Sequence, residues 1–177
     1  GGDPLMADDQ ALSGLFVRLE SVSSIHRLRI HTRLPIVIPE RVTDLLCQAI
    51  ATTALPVVMV LHSNHANEID QSVMDAVSQL RVVCRSVLNQ SVILKGINDS
   101  ADVLIALSER LFEAGIDPYY LNVLDRVSGA HHFDVSDLEV AALHQALLNA
   151  LPGYLVPKLV REVPGIGHKV QWKETTH

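Results

Sequence analysis

Cysteine is nearly absent from this sequence: Cys47 and Cys84 are the only two, and they fall in different predicted elements with no Cys-x-x-Cys spacing. That pattern offers no disulfide framework, and the two read as buried thiols of a reducing compartment, by default the cytosol. Positive charge is in deficit. The 14 lysines and arginines against 20 aspartates and glutamates leave a net charge of −6, which argues against nucleic acid as the main partner. Long hydrophobic runs are missing too. Segments such as "LPVVMVL" are far too short to span a bilayer, so no membrane partner is expected. No positively charged start followed by an apolar core and a cleavage site is present, so no signal peptide is read. What is present is a globular composition, 48% hydrophobic and 19% charged, in 177 residues, enough for one domain with a real core.

The hydrophobic pattern alternates between two periods. Leu12, Leu15, Phe16 and Leu19 recur at helical spacing and predict a helix from Asp8 to about Ser21. "RLRIHT" reads as a strand, Glu40 to Thr52 as a helix behind Pro39, and "LPVVMVLH" as a valine-rich strand covered on both faces. A helix from Asn67 to about Val82 follows, then the strand "RSVLNQSVI". Asp99 or Ser100 caps a helix running to Glu113 and closed by Gly115; "IDPYYLNVLD" is the next strand. Ser136 and Glu139 form a capping box that opens a strongly helical stretch. "YLVPKLVREV" is the last strand, and Pro157 makes it an edge or a bent one. About five strand–helix repeats imply an α/β fold with a parallel sheet, either a complete open sheet or part of a barrel. The opening "GGDPLM" reads as a loop that should follow a strand, so the chain is expected to be the C-terminal portion of something longer.

Each predicted strand ends in polar residues: His31, Thr32 and Arg33; His62, Ser63, Asn64 and His65; Asn89 and Gln90; Tyr119, Asn122 and Asp125; then Glu162 leading to Lys169. In parallel α/β folds such ends gather into the working face, so five in succession predict a polar mouth. Each group also has a plainer reading. His62, His65 and Glu68 suit a helix cap, Asn89 and Gln90 suit backbone satisfaction at a strand end, and Asp125 beside Arg126 suits an exposed ion pair. Lys169 in "HKVQWKETTH" taken alone is a solvated lysine.

The segments "GGDPLM", "RLRIHTRLPIVIPERV", "HSNHANEID", "LNQSVILKGIND", "GIDPYYLNVLDRVSGAHHFDV" and "GYLVPKLVREVPGIGHK" resemble the lysine 2,3-aminomutase family of radical S-adenosylmethionine enzymes. The likeness is greatest to the bacterial branch that makes (R)-β-lysine for elongation factor P, and it runs from Gly1 to about Lys169. The resemblance implies a partial (β/α) barrel and an isomerase converting (S)-α-lysine to (R)-β-lysine with S-adenosylmethionine, pyridoxal 5′-phosphate and a [4Fe–4S] cluster. By resemblance, Gly1, Gly2 and Asp3 lie against the methionine part of S-adenosylmethionine, where glycine lets backbone come close. Lys169 matches the lysine that forms a Schiff base with pyridoxal phosphate, delivered by a turn matching Pro164, Gly165 and Gly167. Asp125 and Glu162 match the acidic pair that holds the distant ammonium of substrate lysine, with Glu162 in place of the aspartate of clostridial enzymes. Asn89 and Gln90 are given a weaker cofactor contact. Relatives of this kind often self-associate.

That set of residues suits the chemistry. The β-hydrogen of lysine is not acidic, so a radical must remove it, and the cofactors carry that step while the protein positions them. The family's Cys-x3-Cys-x2-Cys segment is absent, and Cys47 and Cys84 cannot replace it, so this polypeptide alone is expected to be inactive. The alternatives are a metal-dependent barrel hydrolase using His31, His62 or His65, and Asp125 around an activated water, and a half-barrel binding module with no activity.

Overall fold

A computed structural model describes residues 2–125, 129, 131–163 and 165–172. Gly1, Arg126 and Pro164 lie outside the described residues. Six strands form one sheet in the order β1 (Leu28–Thr32), β2 (Val57–Leu61), β3 (Ser86–Val92), β4 (Asp117–Asn122), β5 (Lys158–Arg161) and β6 (Val170–Gln171). The first five run parallel; β6 pairs antiparallel with β5, through Val160 with Gln171 and Arg161 with Val170.

The helices are α1 (Asp9–Glu20), α2 (Leu34–Val37), α3 (Asp44–Thr52), α4 (Gln71–Val83), α5 (Ala101–Glu113) and α6 (Asp137–Ala150). Side chains of Asp8, Thr43, Asp70, Ser100 and Ser136 cap α1, α3, α4, α5 and α6 respectively. At the end of α5, Gly115 has φ +77°, the left-handed turn that glycine adopts without strain. Right-handed crossovers between sequentially ordered parallel strands place every connecting helix on one face. The core agrees. Leu28 and Ile30 of β1, Met59 and Leu61 of β2, and Val87 of β3 are buried with α1, α3, α4 and part of α5. Leu121 of β4 and Leu159 of β5 are buried with α5 and α6. Register puts these strand residues on the same side of the sheet.

Singly wound order is what the wall of a barrel requires. Among the described residues the sheet stays open, with β1 and β6 as its edges. Several predicted boundaries move for local reasons. The helix expected from Glu40 begins at Asp44, because Pro39–Arg41 forms a 3-10 turn and Thr43 then caps. The helix expected from Asn67 is divided into a 3-10 turn, Ala66–Glu68, and α4, because His65 and Asp70 each cap. β5 begins directly after Pro157 and is not an edge, since β6 covers it.

Candidate functional site

Opposite the helices, register aligns Arg29 and His31 of β1, His62 beyond β2, Gln90 of β3, and Tyr120 and Asn122 of β4 on one face. The His31 and His62 rings meet edge to face with centroids 5.9 Å apart. Three buried polar atoms here lack a hydrogen-bond partner: His31 Nε2, His62 Nε2 and Gln90 Oε1. Buried polar groups are normally paired, so these three atoms set this face apart from the helix-covered one. Burial, then the neighbouring Arg29, His62 and Lys169 charges, pushes the His31 imidazole below its ordinary pKa. His62 is lowered as well, by burial first, with Asp3 opposing and Arg33 and Lys169 adding to it.

Lys169, immediately before β6, reaches this face. Its Nζ donates to Asn122 Oδ1, lies 3.2 Å from Glu162 Oε1 and sits 5.7 Å from the Tyr120 ring centroid. A cavity of about 1120 Å³ opens alongside, lined by Arg29, Asp125, Asp134, Asp137, Arg161, Glu162, Gly165, Gly167 and Lys169 among others. Gly165 turns the chain there at φ +85°.

A polar scaffold holds the strand ends. The Asp3 carboxylate accepts from Leu5 N at 2.9 Å, Thr32 Oγ1 at 2.7 Å and Arg33 N at 2.7 Å. Burial raises its pKa, but these hydrogen bonds outweigh burial and hold it below the usual carboxylate range. Glu68 accepts from Asn64 N at 2.6 Å and His65 N at 2.9 Å. Asn89, 1% exposed, accepts from Ser63 N at 2.9 Å and donates to Ser63 O at 3.0 Å and Ser91 Oγ at 2.8 Å.

The residues singled out from sequence therefore divide. Lys169, Asp125 and Glu162 line one cavity, and Gln90 lies on the same sheet face as Lys169's partners. Asn89 points to the helix side with its amide engaged by Ser63 and Ser91, and Asp3 secures the loop to β1. Gly2 is exposed; Gly1 and Pro164 fall outside the described residues. His65 Nδ1 accepts from Asn67 N at 3.1 Å, the capping role that its spacing allowed. Among the described residues no three His, Cys, Asp or Glu side chains stand where they could share a metal ion, so the hydrolase ligand set is not assembled. The sequence reading passed over Arg29, Asp134, Asp137 and Arg161. Arg29 alternates with His31 in β1, and that period of two was the available signal; the others meet only through the fold.

No family model matches the chain. It is 52% identical over 174 residues to a protein of Haemophilus influenzae named L-lysine 2,3-aminomutase, covering 98% of this chain and 52% of that protein. An Escherichia coli protein of the same name is 52% identical over 165 residues, 93% of this chain and 48% of its own. One from Clostridium subterminale is 32% identical over 169 residues, 96% of this chain and 40% of its own. The chain spans about half the length of the curated relatives it matches first. By sequence, then, this chain belongs to the lysine 2,3-aminomutase family.

Proposed function

We propose that this chain forms the C-terminal barrel portion of an L-lysine 2,3-aminomutase, an isomerase that moves the amino group of (S)-α-lysine from C2 to C3 to give (R)-β-lysine. On this reading it works in the cytoplasm with S-adenosylmethionine, pyridoxal phosphate and a [4Fe–4S] cluster, and its product modifies elongation factor P. The observation that carries the reading is Lys169: an amine set on the helix-free face of the sheet, in a chain whose relatives bear that name.

The residues on that face fit the two organic cofactors. Lys169 supplies the amine for pyridoxal phosphate, and the adjoining cavity of about 1120 Å³ has room for it. Gln90 Oε1 is an acceptor without a donor among the described residues, which suits an amino group such as that of S-adenosylmethionine. The cysteines do not fit a cluster. Burial, with a smaller contribution from Cys47, pushes the Cys84 thiol up to about 12, the reverse of what a thiolate ligand needs. No step through a cluster is assigned to these residues.

When bound, the cofactors supply a radical able to remove a non-acidic hydrogen and a carbonyl that carries the migrating nitrogen. The chain's own part is placement. Asp125 and Glu162, both lining the cavity, offer carboxylates for the distal ammonium of lysine, which would fix which carbon meets the reacting centre. Glu162 Oε1 lies 3.2 Å from Lys169 Nζ, so the same carboxylate borders both the amine and the cavity. Apolar Val60 and Leu88, beside His31 in register, help keep water from the face.

The test uses the full-length protein. Lys169→Ala should abolish the yellow pyridoxal absorbance and the borohydride-stable mass gain; an unchanged mass gain would overturn the assignment. Asp125→Ala should raise KM for lysine at least tenfold while S-adenosylmethionine cleavage continues.

A further inference from the structure

We propose that Asn122 is the positioning residue of Lys169, a neutral acceptor that sets the amine on the open face and can release it. The inference rests on the reading that Lys169 is the reactive amine. Asn122 is the last residue of β4 and is 7% exposed. Its Nδ2 donates to the Ser91 carbonyl across the β3–β4 boundary at 2.8 Å. That bond settles which end of the amide is which: the NH2 turns to the backbone, so Oδ1 faces outward, and Oδ1 accepts from Lys169 Nζ. The backbone repeats the constraint, with Ile93 N donating to Asn122 O at 3.0 Å. The side-chain amide is thus anchored through Nδ2 on a backbone that is itself held in place.

The other partners of the amine are of a different kind. Glu162 is ionic, but its side chain is 60% exposed, so water screens the attraction. Tyr120 offers a ring face without direction along the Nζ–H bonds. Among the described residues, Asn122 alone joins burial, a fixed orientation and contact with the nitrogen. A carboxylate at this position would hold the ammonium as a partly desolvated ion pair, costly to break when the amine must react. A neutral amide holds it and imposes no such cost. Among the described residues, the charged and titratable groups near the amine are Glu162 after β5, His31 on β1, His62 after β2 and Tyr120 on β4, with Arg29, Asp125, Asp134, Asp137, Arg161 and His168 on the same cavity. None of them takes the place of Oδ1.

The experiment measures the rate at which pyridoxal phosphate followed by borohydride labels Lys169 in the full chain, by peptide mapping, across pH 6 to 9. In wild type the label goes to Lys169. In Asn122→Leu, which keeps the shape and removes the oxygen, the share at Lys169 falls at least fivefold while the other lysines are unaffected. In Asn122→Asp the pH profile of labelling at Lys169 moves alkaline by about one unit or more, because a carboxylate at that spot favours the protonated amine. A residue that only supported the fold would lower labelling in both variants without moving the profile, and that result overturns the proposal. Wild-type labelling of Lys169 in Asn122→Leu overturns it too and leaves the Lys169 reading intact. Wild-type label that avoids Lys169 overturns the Lys169 reading itself and this inference with it. If Asn122→Leu does not fold, the near-isosteric Asn122→Asp profile decides.

Discussion

On the helix-covered side of the sheet, Leu28, Ile30, Met59, Leu61 and Val87 are buried under α1, α3 and α4. On the other side His31, His62 and Gln90 bury polar atoms that have no hydrogen-bond partner among the described residues. The same strands make both faces, with alternate residues pointing each way. One face is closed by apolar packing, and the other, on the proposed reading, is where ligands sit. Stability should therefore reside mainly on the first, and affinity on the second.

The largest expected contrast is between core and open face. Met59→Ala, at a position 0% exposed, should cost about 2–5 kcal/mol in urea unfolding. Gln90→Leu should be neutral or stabilising, because it removes an unsatisfied polar group. Equal losses would erase the distinction between the faces. Next in size, Asn89→Ala should cost about 1–3 kcal/mol and speed hydrogen exchange at Ser63, whose amide would lose its acceptor.

A smaller effect follows pH. The imidazoles of His31, His62 and His144 are all held below their ordinary value, chiefly by burial. The unfolded chain then takes up protons first as pH falls through about 6.5, so stability present at pH 7 is lost toward pH 5. Asp3 and Asp9, held below the carboxylate range, add their loss only below about pH 4. The double variant His31→Gln/His62→Gln should flatten the slope of melting temperature between pH 7 and 5. An unchanged slope would place the burial cost elsewhere. Smallest of all, Glu113→Ala on the outer surface should change stability by less than about 0.5 kcal/mol, since its pair with Arg110 is exposed.

The long elements were legible because their periods are long: α4, α5 and α6 each present an apolar stripe over several turns, and Ser136–Glu139 announces its own helix start. α2 and β6 were not, since four and two residues carry no period. At the site, strand-end polarity located the mouth and the family likeness singled out Lys169. Neither could tell Asn89 from Gln90. One residue's shift turns a side chain to the opposite face, and the irregular register between β3 and β4 falls at that pair. Asn122 was noted only as one polar group among several. Its importance comes from Ser91 and Lys169, partners far away in sequence that only the fold brings near.

The short antiparallel pairing of Val170 with Arg161 has a kinetic meaning. It fastens Arg161 and Val170 side by side, so that Glu162 and Lys169 each leave from a fixed point. On the proposed reading the Lys169 amine is a tethered reagent, with a local concentration on the order of millimolar or more set by loop length instead of by encounter. A molecule arriving at the face meets an amine already in residence.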